Sequence, residues 1–284
     1  MNTHMPPSVN FHLLHACNMK CKFCFATFLD TEVERQNQDR ALRIIRQLAE
    51  FGFQKITFAG GEPTLWRGLP QLLAEARQLG MTTMLVTNGS RLHNEEYYQQ
   101  VRPHLDWLIL SIDSVDPEVN RLSGRTEKGS DPISAQEYLA LCMKAKADGL
   151  RLKINTVVSR YNVNDDLTGF MLRAQPERWK IFQALPVAGQ NDANWGQFEI
   201  NPEEYQAYLS RHSSLSGQIT IVPEDNDAMT GSYVMVGPNG CFFDNTSGRH
   251  TYSQPILKVG VKTALSQVSV DAEKFFSRGG QYEW

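Results

Sequence analysis

The sequence predicts an α/β fold, a partial (β/α)6 barrel followed by a C-terminal extension, on three observations. Strand-like apolar runs alternate with helix-period segments as far as residue 185. Three cysteines spaced C-x3-C-x2-C follow the first strand, and glycine-containing or polar turns close the later strands. Parallel strands joined by helices cross over in one hand, and six such units are too few to close the eight-unit barrel. The open side suits a large substrate.

Taken in order, SVNFHLLHA is a strand that runs into the cysteine loop, and residues 39–51 repeat apolar positions at helical spacing until Gly52 ends them. QKITFA is the second strand. A helix near 68–79, a strand at 82–87, a helix near 93–100 and a strand at 107–112 continue the cycle. After a polar loop rich in Gly, Arg and Ser come a helix at 134–148, the strand RLKINTVV, a short helix near 165–173 and the strand RWKIFQAL. We assign the barrel core to 1–185 and read 186–284 as an extension packed on it and closing the site, with a helix near 202–211 and strand-like ITIV and SYVMV.

Composition bounds the function. Of 284 residues, 41% are hydrophobic and 21% charged, and no apolar run approaches the roughly 20 residues of a membrane span. With 28 basic and 31 acidic side chains the formal charge is -3, so no direct nucleic-acid partner is expected. The opening MNTHMPPSVN lacks the basic-then-apolar plan of a signal peptide. A cytoplasmic, reducing location without disulfides follows as the expectation.

Of five cysteines, Cys142 and Cys241 stand alone and read as core. Cys17, Cys21 and Cys24 form the cluster. Three thiolates on a short loop hold three irons of a [4Fe-4S] cube and leave the fourth iron open, which favours catalysis. A structural zinc site would need a fourth ligand, for which His12 or His15 is at hand. In parallel α/β folds functional groups gather at the carboxyl ends of the strands. There lie Ala59-Gly60-Gly61-Glu62-Pro63, whose glycines permit a ligand to approach backbone amides, then Thr87-Asn88-Gly89-Ser90 and Ser111-Ile112-Asp113. Strand alternation puts Arg178 with Lys180, Lys153 with Asn155, and Lys55 with Thr57 on common faces. A triphosphate carries roughly four negative charges, a load that forked Arg and point-charge Lys donors match if these faces point inward rather than into salt bridges with the helices.

Together, CNMKCKFC, AGGEP and the ordered β-α units resemble the radical S-adenosylmethionine enzymes. The resemblance implies that Cys17, Cys21 and Cys24 bind a [4Fe-4S] cluster whose open iron chelates S-adenosylmethionine, the source of a 5'-deoxyadenosyl radical. It implies that Phe23 and Phe25 shape the cluster and adenine surroundings, that Gly60, Gly61 and Glu62 meet the methionyl group, and that Asn88, Ser111 and Arg125 lie near the cofactor.

A narrower resemblance spans nearly the whole chain. SVNFH, KITFAGGEP, LSIDSVDPEVNRLSGR, KINTVVSRYN, RWKIFQ, SYVMV and FFSRGGQYEW look like the viperin family, specifically its prokaryotic members. That implies a nucleotide dehydratase. The radical takes the ribose 4'-hydrogen of a ribonucleoside triphosphate, CTP first with UTP or GTP as alternatives. The 3'-hydroxyl leaves as water, and an electron from an unidentified donor completes an antiviral 3'-deoxy-3',4'-didehydro chain terminator. By the same resemblance Lys55, Lys153, Arg178 and Lys180 surround the phosphates, Asn10 and Asn155 lie near the nucleotide, and Tyr233 delivers hydrogen or a proton late. Arg278-Gly279-Gly280 closes over the phosphates. Ala59 stands where some relatives have serine and Thr57 where the family has asparagine. The membrane helix of vertebrate members is not expected. The alternatives are a radical enzyme acting on a peptide or another small metabolite, and an iron-sulfur protein without turnover.

Overall fold

A computed structural model describes residues 5–32 and 37–284. The opening residues 1–4, part of the signal-peptide reading, lie outside the described residues. Six strands pair in parallel in chain order: β1 (Ser8–His12), β2 (Lys55–Ala59), β3 (Thr82–Thr87), β4 (Trp107–Ser111), β5 (Arg151–Val158) and β6 (Arg178–Gln183). Helices α1 (Gln38–Phe51), α2 (Leu69–Gln78), α3 (Glu95–Val101), α4 (Pro117–Ser123), α5 (Ala135–Ala147) and α6 (Thr168–Ala174) lie in the connections.

Local chemistry sets the element ends. Gly52 stops α1 at φ 111°, a left-handed conformation open to glycine, and Ser134 with Glu137 forms a capping box that starts α5. Strand residues facing the helices, among them Ile56, Phe58, Leu108, Ile154 and Ile181, share one core with Ile44, Ile45, Leu48, Leu72 and Leu141. Full burial of each such side chain stabilises the fold by about 1.5–3 kcal/mol. The alternate strand residues face into the barrel.

Three features go beyond the sequence reading. First, the polar loop after β4 contains α4, whose seven residues are too few to show a period; Asp116 caps its first amides and Pro117 opens it. Second, β1 ends at His12 because the chain turns out of the sheet into the cysteine loop. Third, the extension joins the barrel sheet itself. β7 (Thr220–Glu224) adds in parallel to β6, β8 (Met235–Val236) adds in parallel to β1, and β9 (Cys241–Asp244) and β10 (Thr251–Pro255) continue antiparallel. The strand order is β10-β9-β8-β1-β2-β3-β4-β5-β6-β7, so the barrel stays open between β7 and β10. Cys142 and Cys241 are buried, as expected of core residues. Among the described residues no helix is long and apolar enough to cross a membrane.

Candidate active site

A cavity of about 300 Å³ runs through the barrel, and every anticipated site residue lines it except Arg178. Its carboxyl end is built by the cysteine loop, which is clamped on both flanks by backbone. Leu14 and Ala16 carbonyls accept from Gly61 and Glu62 amides at 2.7 and 2.8 Å, while Lys20 and Lys22 amides donate to Gly124 and Ser123 carbonyls at 3.0 and 2.9 Å. A Cβ on Gly61 would sit 2.2 Å from the Ala16 carbonyl oxygen, and one on Gly124 would sit 2.1 Å from that of Lys20. The expected reason for the glycine pair is thus amended: they admit the backbone of the cysteine loop, besides facing the cavity.

Glu62 organises the same end. Its carboxylate accepts from the Thr64 amide at 3.0 Å and hydroxyl at 2.6 Å, from the Thr87 hydroxyl at 2.7 Å and from the Asn88 amide at 2.8 Å. Burial pushes it up, and those bonds oppose the shift. The Asn88 side-chain amide in turn donates to Asn18 on the cysteine loop at 2.8 Å. On the opposite flank the buried Arg125 contacts Asp113 at 2.9 Å, lies 3.7 Å from the Cys21 sulfur and donates to the Ser111 carbonyl. Burial opposes its charge, but Asp113 and Cys21 outweigh it and raise its pKa.

Burial pushes the thiols upward, Cys21 to about 12 and Cys24 to about 11, a state that a bound cationic cluster reverses. Among the described residues no three His, Cys, Asp or Glu side chains converge as ligands of a single metal ion. Three free thiols on one loop suit a cube, in which each thiolate takes its own iron. His12 lines the cavity and its buried Nδ1 has no partner within the protein. His15 bonds the Thr31 hydroxyl at 2.7 Å, and His12 sits edge-on to Phe25, Phe28 and Phe243, neutral because burial and nearby His250 lower it to about 3. Phe23 packs with Ala184 and Phe198 on one side of the loop, and Phe25 with Phe28, Met235 and Phe243 on the other.

The deeper end is cationic. Lys55, Lys153 and Lys180 are 6, 7 and 5% exposed, so the strand faces point inward as the triphosphate argument requires. Burial lowers all three, and each feels the neighbouring cations; Lys180 falls to about 8, with Glu224 opposing the fall. Like charges held together in a dry pocket are an anion site. Asn155 lies level with Lys180, and its buried Oδ1 has no partner within the protein, leaving an acceptor for a ligand hydroxyl. Arg178 differs from the expectation. Its guanidinium stacks 3.9 Å from the Tyr282 ring and donates to the Gly279 carbonyl at 3.2 Å, so it holds the C-terminal segment across the base of the barrel instead of lining the cavity.

The extension supplies the last wall. Arg278 lies 3.8 Å over the Tyr233 ring and bonds Glu224 at 2.9 Å. Lys180 donates to the Tyr233 oxygen at 2.7 Å, and Tyr233 donates to Glu224. Sequence reasoning missed Glu224 and gave Tyr282 no role. One acidic residue ending an apolar strand carries no sign that it turns inward, whereas the aromatic in FFSRGGQYEW was a visible but unassigned signal.

A parallel barrel with a three-cysteine loop at its carboxyl end defines the radical S-adenosylmethionine class. The family model described as Radical SAM superfamily matches residues 12–173. The fold is shared with anSMEcpe, solved with bound AdoMet, at TM-score 0.70 and 16% identity, covering 94% of this chain and 82% of that one. An S-adenosylmethionine-dependent nucleotide dehydratase of Flammeovirga pacifica is 46% identical over 98% of this chain and 96% of that protein. Another, of Lacinutrix mariniflava, is 50% identical over 98% of this chain, which spans only 59% of that protein's length. The chain belongs to the S-adenosylmethionine-dependent nucleotide dehydratases, the viperin family. A [4Fe-4S] cluster and S-adenosylmethionine are its cofactors, and the cysteine spacing and Glu62–Asn88 shelf described above fit both.

Proposed function

We propose that this chain dehydrates a ribonucleoside triphosphate, CTP first with UTP or GTP as alternatives, to the 3'-deoxy-3',4'-didehydro nucleotide, an antiviral terminator of RNA synthesis. The observation that carries the reading is one cavity with three cysteines at its carboxyl end and Lys55, Lys153, Lys180 and Arg278 at the other. When bound, the cluster and S-adenosylmethionine supply a hydrogen-abstracting 5'-deoxyadenosyl radical.

The protein's own part is positioning and charge. Glu62, Asn88, Ser111 and Arg125 hold the cofactor end in shape through the bonds given above. The four cations draw the triphosphate to the base of the barrel, which leaves the ribose between the two ends and within reach of Asn10 and Asn155. Tyr233, kept protonated because burial raises its pKa well above that of free tyrosine, holds a hydrogen on the same wall as Lys180. Gly279 and Gly280 line the cavity beside Arg278, where they close it over the phosphates.

The test is anaerobic reconstitution with reductant, S-adenosylmethionine and each ribonucleoside triphosphate in turn, followed by mass analysis for a nucleotide lacking one water. CTP should give the largest yield. Release of 5'-deoxyadenosine with no dehydrated nucleotide from any of them sinks the reading and leaves a peptide or other metabolite as substrate. Tyr233→Phe should lower dehydrated product by about a hundredfold while 5'-deoxyadenosine continues to form, since a positioned proton or hydrogen donor contributes about 10²–10⁴-fold.

A further inference from the structure

Glu224 is fully buried on β7, the first strand contributed by the extension, and three cavity-lining side chains converge on it. Lys180 and Arg278 each reach Oε1, Arg278 at 2.9 Å, and Tyr233 donates to Oε2. Lys180 also donates to the Tyr233 oxygen, and Arg278 is steadied by the Ser232 carbonyl at 3.0 Å while covering the Tyr233 ring. Glu224 itself does not line the cavity. A carboxylate in an apolar interior is costly unless its oxygens are satisfied, and here two cations and a phenol satisfy them.

We infer that Glu224 is the positioning residue that fixes Tyr233, Lys180 and Arg278 as one unit, so that seating of the triphosphate and alignment of the tyrosine are a single event. The inference rests on the nucleotide reading above. Through Arg278 the same unit ties the C-terminal segment to β7, because the Glu224 bond is made from the residue that precedes Gly279 and Gly280. When phosphate oxygens compete for Lys180 and Arg278, the bond from Tyr233 to Glu224 is the contact whose strength changes with them. An empty site thus keeps the phenol turned toward Glu224, and a filled one releases it toward the ribose. Lys180 faces Glu224, Tyr233, Arg278, Arg178, Lys153 and Lys55. Burial lowers its pKa and Glu224 is the acidic neighbour that opposes the fall.

The experiment compares wild-type protein with Glu224→Gln, both cluster-loaded and checked for iron and sulfide. Two readouts are taken: dehydrated nucleotide formed per 5'-deoxyadenosine, and the pH at which affinity for inorganic tripolyphosphate is lost. The inference expects the product ratio to fall by about tenfold or more, as for loss of an aligned donor. It expects tripolyphosphate release to move down by about one pH unit or more, because Lys180 loses its adjacent opposite charge. A wild-type value for either readout overturns it. Should Glu224→Gln fail to load the cluster, Glu224→Asp, which keeps the charge and withdraws it by one methylene, must lower the product ratio while leaving the pH of release in place; an unchanged ratio there overturns the inference equally. If wild-type protein dehydrates no nucleotide, the functional reading falls, and the tripolyphosphate profile by itself decides whether Glu224 governs the cation pair.

Discussion

At the scale of single residues, the site separates groups that shape backbone from groups that carry charge. Gly61 belongs to the first kind. Gly61→Ala would place a methyl 2.2 Å from the Ala16 oxygen, and since both sides are backbone the loop must move. We expect a loss of about 1–3 kcal/mol, the usual cost of overpacking, seen as a lower melting temperature, together with reduced iron content after reconstitution. Lys180 belongs to the second. Its native pKa, lowered to about 8, lies below that of an unfolded lysine, so between those values the unfolded chain binds more protons than the native one. Its contribution to stability in the ligand-free protein therefore rises as pH increases through about 8 toward the unfolded value. Affinity for polyphosphate should fall over the same window, which isothermal titration with tripolyphosphate at a series of pH values measures. The cysteines were legible in the sequence through their spacing, and alternation showed that the lysines share faces with their neighbours, while their inward direction and the place of Glu62 came from the family resemblance. Glu224 was not legible, because its role depends on three partners from β6, β8's approach and the C-terminal segment, none adjacent in sequence.

Elements show the same division between local and long-range information. Helices α1, α2, α5 and α6 and strands β2 to β6 follow from periodicity and caps, since each carries its own apolar pattern. Helix α4 was hidden by its length, yet it sets up Gly124 and Arg125 beside the cysteine loop. Asp116→Ala, which removes the cap, should cost about 1 kcal/mol in thermal unfolding and reduce cluster retention, since Gly124 and Ser123 receive the loop amides. The final segment is held by rings and cations. Lys55 lies 3.9 Å over Trp284, Tyr282 stacks edge-on to Trp107 at 5.6 Å, and Arg151 donates to the Glu283 carbonyl at 2.9 Å. Removing residues 282–284 should weaken tripolyphosphate binding, because it uncovers Lys55 and frees Arg178 from the Tyr282 ring; a desolvated cation–π contact is worth about 2 kcal/mol or more. Equal affinity in the shortened protein would show that the segment covers the barrel base without tuning it.

On the scale of the whole molecule, one sheet carries both the cysteine-loop end and the lysine end of the cavity, so the distance between them is set by strand length rather than by a hinge. Register makes this concrete: β2 is five residues long, Lys55 begins it and Ala59 ends it, and there Gly60 and Gly61 meet the cysteine loop. The alternating pattern foretold the six barrel strands. It did not foretell that the extension would pair on both sides of them, because β8 is two residues long and its partner β1 is distant in sequence. Chelation gives a global test. The cysteine loop is pinned by Gly61, Glu62, Ser123 and Gly124 through backbone hydrogen bonds that involve no metal, so stripping iron should leave the far-ultraviolet dichroism and cooperative melting essentially intact, unlike a zinc finger, which unfolds when its metal is removed.

That pinned loop also bears on how such a protein matures. With backbone hydrogen bonds from Gly61 and Glu62 on one flank and to Ser123 and Gly124 on the other, cluster assembly there should demand little rearrangement of the main chain.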